Sequence, residues 1–72
     1  MRILVVDDEA RVGDLLRRDL QDRGHEVLAV TSSRDGLQKL EQERFDLVVT
    51  DLRMAPPDGL ALLTEIKQRW PA

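Results

Sequence analysis

Ile3-Leu4-Val5-Val6 is apolar at every position, rich in β-branched residues, and stops at three consecutive acids, Asp7-Asp8-Glu9. A strand with no polar face fits only where both faces are covered, as in a parallel sheet flanked by helices. Two further apolar runs follow: Glu26 to Thr31, carrying Val27, Leu28 and Val30, and Phe45-Asp46-Leu47-Val48-Val49-Thr50, which ends at Asp51. Helical patterns separate them. Val12, Leu15, Leu16 and Leu20 recur at helical spacing among Arg17, Arg18, Asp19 and Asp22, so a first helix is predicted over residues 10 to 23, with Gly24 as its stop. Ser32 with Asp35 three residues on resembles a capping box and opens a second helix, with Leu37 and Leu40 on its buried face. After Pro56-Pro57-Asp58-Gly59, a third helix is predicted from Leu60 to Arg69, placing Leu60, Leu63, Ile66 and Trp70 along one side before Pro71 ends it. The order is βαβαβα. Strands joined through helices of this length imply right-handed crossovers and a parallel sheet.

Composition narrows the class. With 11 Lys+Arg against 14 Asp+Glu, the net charge of −3 leaves no basic footprint for nucleic acid. No run of apolar residues is long enough to span a bilayer, and the first residues pass too soon into acids to be a secretion signal. A soluble, cytoplasmic protein is expected. Cysteine is absent, so neither a disulfide nor a thiolate metal site contributes. A chain of 72 residues is one domain at most, burying roughly 60–65% of its unfolded surface. Its core is expected to be marginal.

The polar residues that could do chemistry stand at the carboxyl ends of the strands, where open α/β sheets bind ligands. Asp7 and Asp8 follow the first strand and Asp51 the third. If those strands are neighbours, the three carboxylates converge, and such a cluster repels itself unless a cation neutralises it. Oxygen-only ligands without His or Cys suit a hard ion, Mg2+ first among them, which keeps positions open for phosphate oxygens. Each acid singly also has a bland reading, because carboxylates are favoured in the first turn of any helix. The pair after one strand together with the single Asp after another is what favours a site.

Ile3-Leu4-Val5-Val6-Asp7-Asp8-Glu9, then Phe45 through Thr50 with Asp51-Leu52-Arg53-Met54, then Asp58-Gly59, resembles the receiver domain of two-component response regulators, in order and spacing along the whole chain. The resemblance implies a flavodoxin-like (CheY-like) α/β fold whose three parallel strands lie in the order 2-1-3. It implies that Asp51 accepts a phosphoryl group from a sensor histidine kinase. It also implies that Asp8, Asp51 and the backbone carbonyl of Arg53 ligate Mg2+, with Asp7 holding a bound water. A carboxylate nucleophile forms an acyl phosphate in such a site, and Mg2+ offsets the charge in transfer. Asp51-Leu52-Arg53-Met54 is common in receivers attached to transcription activators, which implies a regulator of transcription.

Two departures stand out. The family usually has Pro directly after the Met, whereas Ala55 intervenes here before Pro56-Pro57. The family also continues with two further strands, which carry its phosphate-sensing hydroxyl and its phosphate-binding Lys, whereas this chain ends at Ala72. On that footing the segment is the amino-terminal part of a receiver. It is expected to fail at stable phosphorylation by itself and to self-associate through the edge of its third strand. Lys39 and Lys67 lie within predicted helices and cannot replace the missing Lys, and Thr50 points away from Asp51 by strand alternation. The alternatives are an Mg2+-dependent phosphohydrolase with an Asp nucleophile, or a non-catalytic self-associating fragment. Haloacid-dehalogenase-like hydrolases need Asp-x-Asp-x-Thr after the first strand, where this chain has Asp7, Glu9 and Arg11. His25 is expected in a solvent-exposed turn, Arg17-Arg18 on a solvated helix face, and Val12 with Leu16 as a lesser candidate for partner docking.

Overall fold

The computed structural model describes residues 1–50 and 59–69. Its elements are β1 (Arg2–Val6), α1 (Ala10–Asp22), β2 (Glu26–Val30), α2 (Ser33–Gln42), β3 (Leu47–Thr50) and α3 (Gly59–Arg69). The three strands form a parallel sheet in the order β2-β1-β3. The apolar run Ile3-Leu4-Val5-Val6 is explained by the place of β1. It is central, and Ile3, Leu4, Val5 and Val6 are each at most 1% exposed.

Strand alternation sends these four side chains to opposite faces. Leu4 and Val6 meet Leu28 and Val30 of β2, Val48 of β3, Leu37 and Leu40 of α2, Phe45, and Ile66 of α3. Helices α2 and α3 therefore cover one face and α1 the other, where Gly13 lies against Ala29. The predicted cap of α2 is present: the Ser32 hydroxyl accepts from the Asp35 amide at 3.1 Å. Helix α1 closes as its sequence suggests. Gly24 adopts φ +93°, donates to Gln21 O, and lets the His25 amide reach back to Leu20 O, which is the glycine-dependent Schellman ending.

On α1 the buried residue is Gly13, against Ala29, whereas Leu15 is 66% exposed and Val12 37%. Several expectations need correction. His25 is half-buried rather than exposed, and its Nδ1 lies 3.3 Å from the amino terminus. The third strand starts at Leu47, not Phe45, and the second ends at Val30, not Thr31. Phe45 instead lies under the Arg2 guanidinium, 5.2 Å from ring centroid to Cζ. That guanidinium also pairs with Glu26 and Glu43 and donates to the Arg44 carbonyl, tying β2 and the segment between α2 and β3 to the start of β1. Arg17 and Arg18 both pair with Asp14, as a solvated face should. The Arg17 hydrogen bond holds the Asp14 carboxyl below its ordinary range. Trp70 lies outside the described residues.

Helix α2 leaves no room for a side chain at Gly36, where an added Cβ would stand 2.9 Å from Val6 Cγ2. Val6 is fully buried and β-branched, so it cannot swing aside. Gly36→Ala is expected to destabilise the fold by about 1–2 kcal/mol, the overpacking cost outweighing the helical gain of roughly 1 kcal/mol. Gly13→Ala, with its Cβ at an ordinary 3.6 Å from Ala29, should be neutral or stabilising. Thermal melts of the two variants check this; equal stability of Gly36→Ala and wild type would remove the contact from the argument.

Candidate functional site

The sheet register sets the site. Val6 pairs with Val30 on one side and with Thr50 on the other, so all three strands end level at their carboxyl edge. In the sequence Val6 is followed by Asp7-Asp8, and Thr50 by Asp51. Neighbouring strands stand about 5 Å apart, so the carboxyl ends of β1 and β3, Val6 and Thr50, lie side by side. Asp51 and Arg53 themselves lie outside the described residues, as does the Pro56-Pro57-Asp58 stretch.

Asp7 is only 7% exposed. Its amide donates to Val30 O at 3.1 Å, a last rung tying β1 to β2. Its Oδ1 accepts from the Glu9 amide at 2.9 Å, closing the turn that leads into α1. Glu9 is the residue before the helix, and its own side chain makes no capping bond. Asp8, at the middle of that turn, is exposed. The two neighbouring acids thus stand in different surroundings: one buried and half committed to backbone, the other open to solvent.

Among the described residues no three His, Cys, Asp or Glu side chains gather as a metal cage. The pair at the end of β1 supplies oxygen ligands alone, with one Asp7 oxygen and the whole Asp8 carboxylate free of described partners. That donor set fits a hard divalent cation and leaves room for phosphate oxygens. Lys39 and Lys67 sit within α2 and α3, as expected.

Two features were not anticipated. The bond from the Glu9 amide gives Asp7 a backbone role. Its sequence signal was present, since an Asp side chain commonly accepts from the amide two residues on, the Asx turn. The other is Thr50, whose buried hydroxyl has no hydrogen-bond partner among the described residues. It lies level with Val6, on the face away from α1.

The comparisons with known proteins agree with this geometry. The transcriptional regulatory protein ZraR of Escherichia coli (strain K12) is 43% identical over 70 residues, covering 97% of this chain and 16% of ZraR. Among solved structures, the response regulator TrrA of Thermotoga maritima in complex with Mg2+ and BeF superposes with a TM-score of 0.92 at 36% identity. That match covers 97% of this chain and 61% of the TrrA chain. TrrA in complex with the histidine kinase ThkA matches with a TM-score of 0.91 and 36% identity, covering 97% of this chain and 60% of the other. The chain therefore spans a small fraction of the ZraR length and under two thirds of TrrA. Residues 3–72 match the response regulator receiver domain, and the chain belongs to that family.

Proposed function

We propose that residues 1–72 form the amino-terminal part of a phosphoacceptor receiver, in which Asp51 takes a phosphoryl group from the phosphohistidine of a sensor histidine kinase. The observation that carries this reading is the level end of β1 and β3, followed in sequence by Asp7-Asp8 and by Asp51. An Asp51 carboxylate oxygen forms the new bond to phosphorus as the phosphorus–nitrogen bond on the kinase breaks. Asp8, Asp51 and the Arg53 backbone carbonyl are the residues that would ligate Mg2+, and Asp7 would hold a water at the same site. Bound there, Mg2+ offsets the charge on the transferring group.

The TrrA complexes support both assignments, one holding Mg2+ and BeF and the other a histidine kinase. Transcriptional regulators among the relatives support a regulator of transcription as the whole protein. The receiver itself is not an enzyme; it takes part in its own phosphoryl transfer. It does not bind nucleic acid directly, as its acidic balance argues. No described helix is long and apolar enough to cross a membrane, and a cytoplasmic location follows from the kinase partnership.

The test is chemical. The protein carrying this receiver, incubated with a small acyl phosphate and Mg2+, is expected to gain one phosphoryl group that maps to Asp51. Asp51→Asn should abolish the modification. Label that persists in the variant would overturn the assignment.

A further inference from the structure

We propose that Asp7 is a positioning residue whose carboxylate builds the turn that presents Asp8 to a divalent cation. The inference rests on the phosphoacceptor reading and adds a division of labour between the two acids. Asp7 is 7% exposed, whereas Asp8 is open to solvent. One Asp7 oxygen accepts from the Glu9 amide at 2.9 Å, and the Asp7 amide is anchored to Val30 O. Three points of the β1–α1 connection are therefore fixed by a single residue: the end of β2, the end of β1 and the entry of α1.

Helix α1 makes this necessary. Its first turn holds no acidic side chain, and Glu9 offers no capping bond of its own. Without the Asp7 oxygen, the Glu9 amide would lose its acceptor, and the turn carrying Asp8 would be held only at its ends, by the Asp7 amide on Val30 O and by the Glu9 carbonyl in α1. A flexible turn has to be ordered again whenever a cation binds, and that ordering weakens binding. The preformed turn avoids it. The free oxygen of Asp7 adds charge at the site, but charge is the lesser part of what the residue does.

Substitution separates the two roles. Asp7→Asn keeps an oxygen that can accept from the Glu9 amide and removes the charge. Asp7→Ala removes both. With Mg2+ alone as the probe, titrated calorimetrically well below the unfolding transition, affinity should fall from wild type to Asp7→Asn and again to Asp7→Ala. The second step is worth roughly two- to tenfold, the span of one hydrogen bond. In chelator, Asp7→Asn should melt at or above wild type, because like-charge repulsion is relieved, and Asp7→Ala should melt several degrees lower. Hydrogen exchange gives a readout that survives a misfolded Asp7→Ala: the Glu9 amide should be protected in wild type and in Asp7→Asn, without metal.

Equal Mg2+ affinity in the two variants would show that charge alone matters and would overturn the inference, as would an unprotected Glu9 amide in the metal-free chain. Absence of Mg2+ binding by wild type is a separate outcome, and it would overturn the metal site on which the phosphoacceptor reading stands.

Discussion

Mg2+ is expected to raise the melting temperature of this chain by about 6–11 °C once it is tenfold above its dissociation constant. The figure follows from mass action. A ligand that binds only the folded state at that excess stabilises it by about 1.4 kcal/mol. In a domain of this size, 1 kcal/mol moves the transition by about 4–8 °C. On the proposed phosphoacceptor reading, the physical source is carboxylate repulsion that a divalent ion relieves. Asp7 is buried at the end of β1 and Asp8 follows it, and in the sequence Asp51 follows β3. Asp8→Ala deletes the open ligand and part of the repulsion together. The variant should melt somewhat higher than wild type in chelator and show no response to Mg2+ beyond that to sodium at matched ionic strength. Equal stabilisation of the two proteins would place the ion elsewhere.

The central strand could be read almost completely. Four consecutive apolar residues require two covered faces, and β1 lies between β2 and β3 with helices on both sides. Parallel order and the strand-end acids followed from the same pattern. Which part of α1 is buried was not legible. Its periodicity marks Val12, Leu15, Leu16 and Leu20 as helical, yet Val12 and Leu15 are exposed and the buried residue is Gly13, against Ala29. Periodicity reports which residues share a face, whereas the sizes of Gly13 and Ala29 decide which part of that face touches. Phe45 misled for a related reason. An aromatic before an apolar run has strand propensity, but here the ring is held by Arg2 across the end of the sheet, and the ladder begins only at Leu47. At the site, the acids were legible because chemistry needs those residue types. The turn made by Asp7 was legible only as a local backbone motif, and the acid-pair pattern drew attention away from it.

A 72-residue polypeptide of this sequence is expected to self-associate. Among the described residues β3 pairs with β1 on one side only, so its other edge presents backbone donors and acceptors to solvent. The strand is Leu47-Val48-Val49-Thr50, without charge or proline, which are the devices that normally protect an edge. Its Leu47 is 44% exposed, and on α1 Leu15 is 66% exposed, so apolar surface accompanies the free edge. A two-fold arrangement setting β3 against β3 of a second copy would pair those backbone groups and continue the sheet through both molecules. The marginal core of so short a chain favours any arrangement that buries more apolar surface. Leu47→Lys places a charge where the edge would have to pair, at a position already open to water, and should shift the population toward monomer without unfolding it. Light scattering after size exclusion reads both proteins directly. A wild-type monomer at tens of micromolar, with an unfolding transition independent of concentration, would show that the edge is protected in some other way.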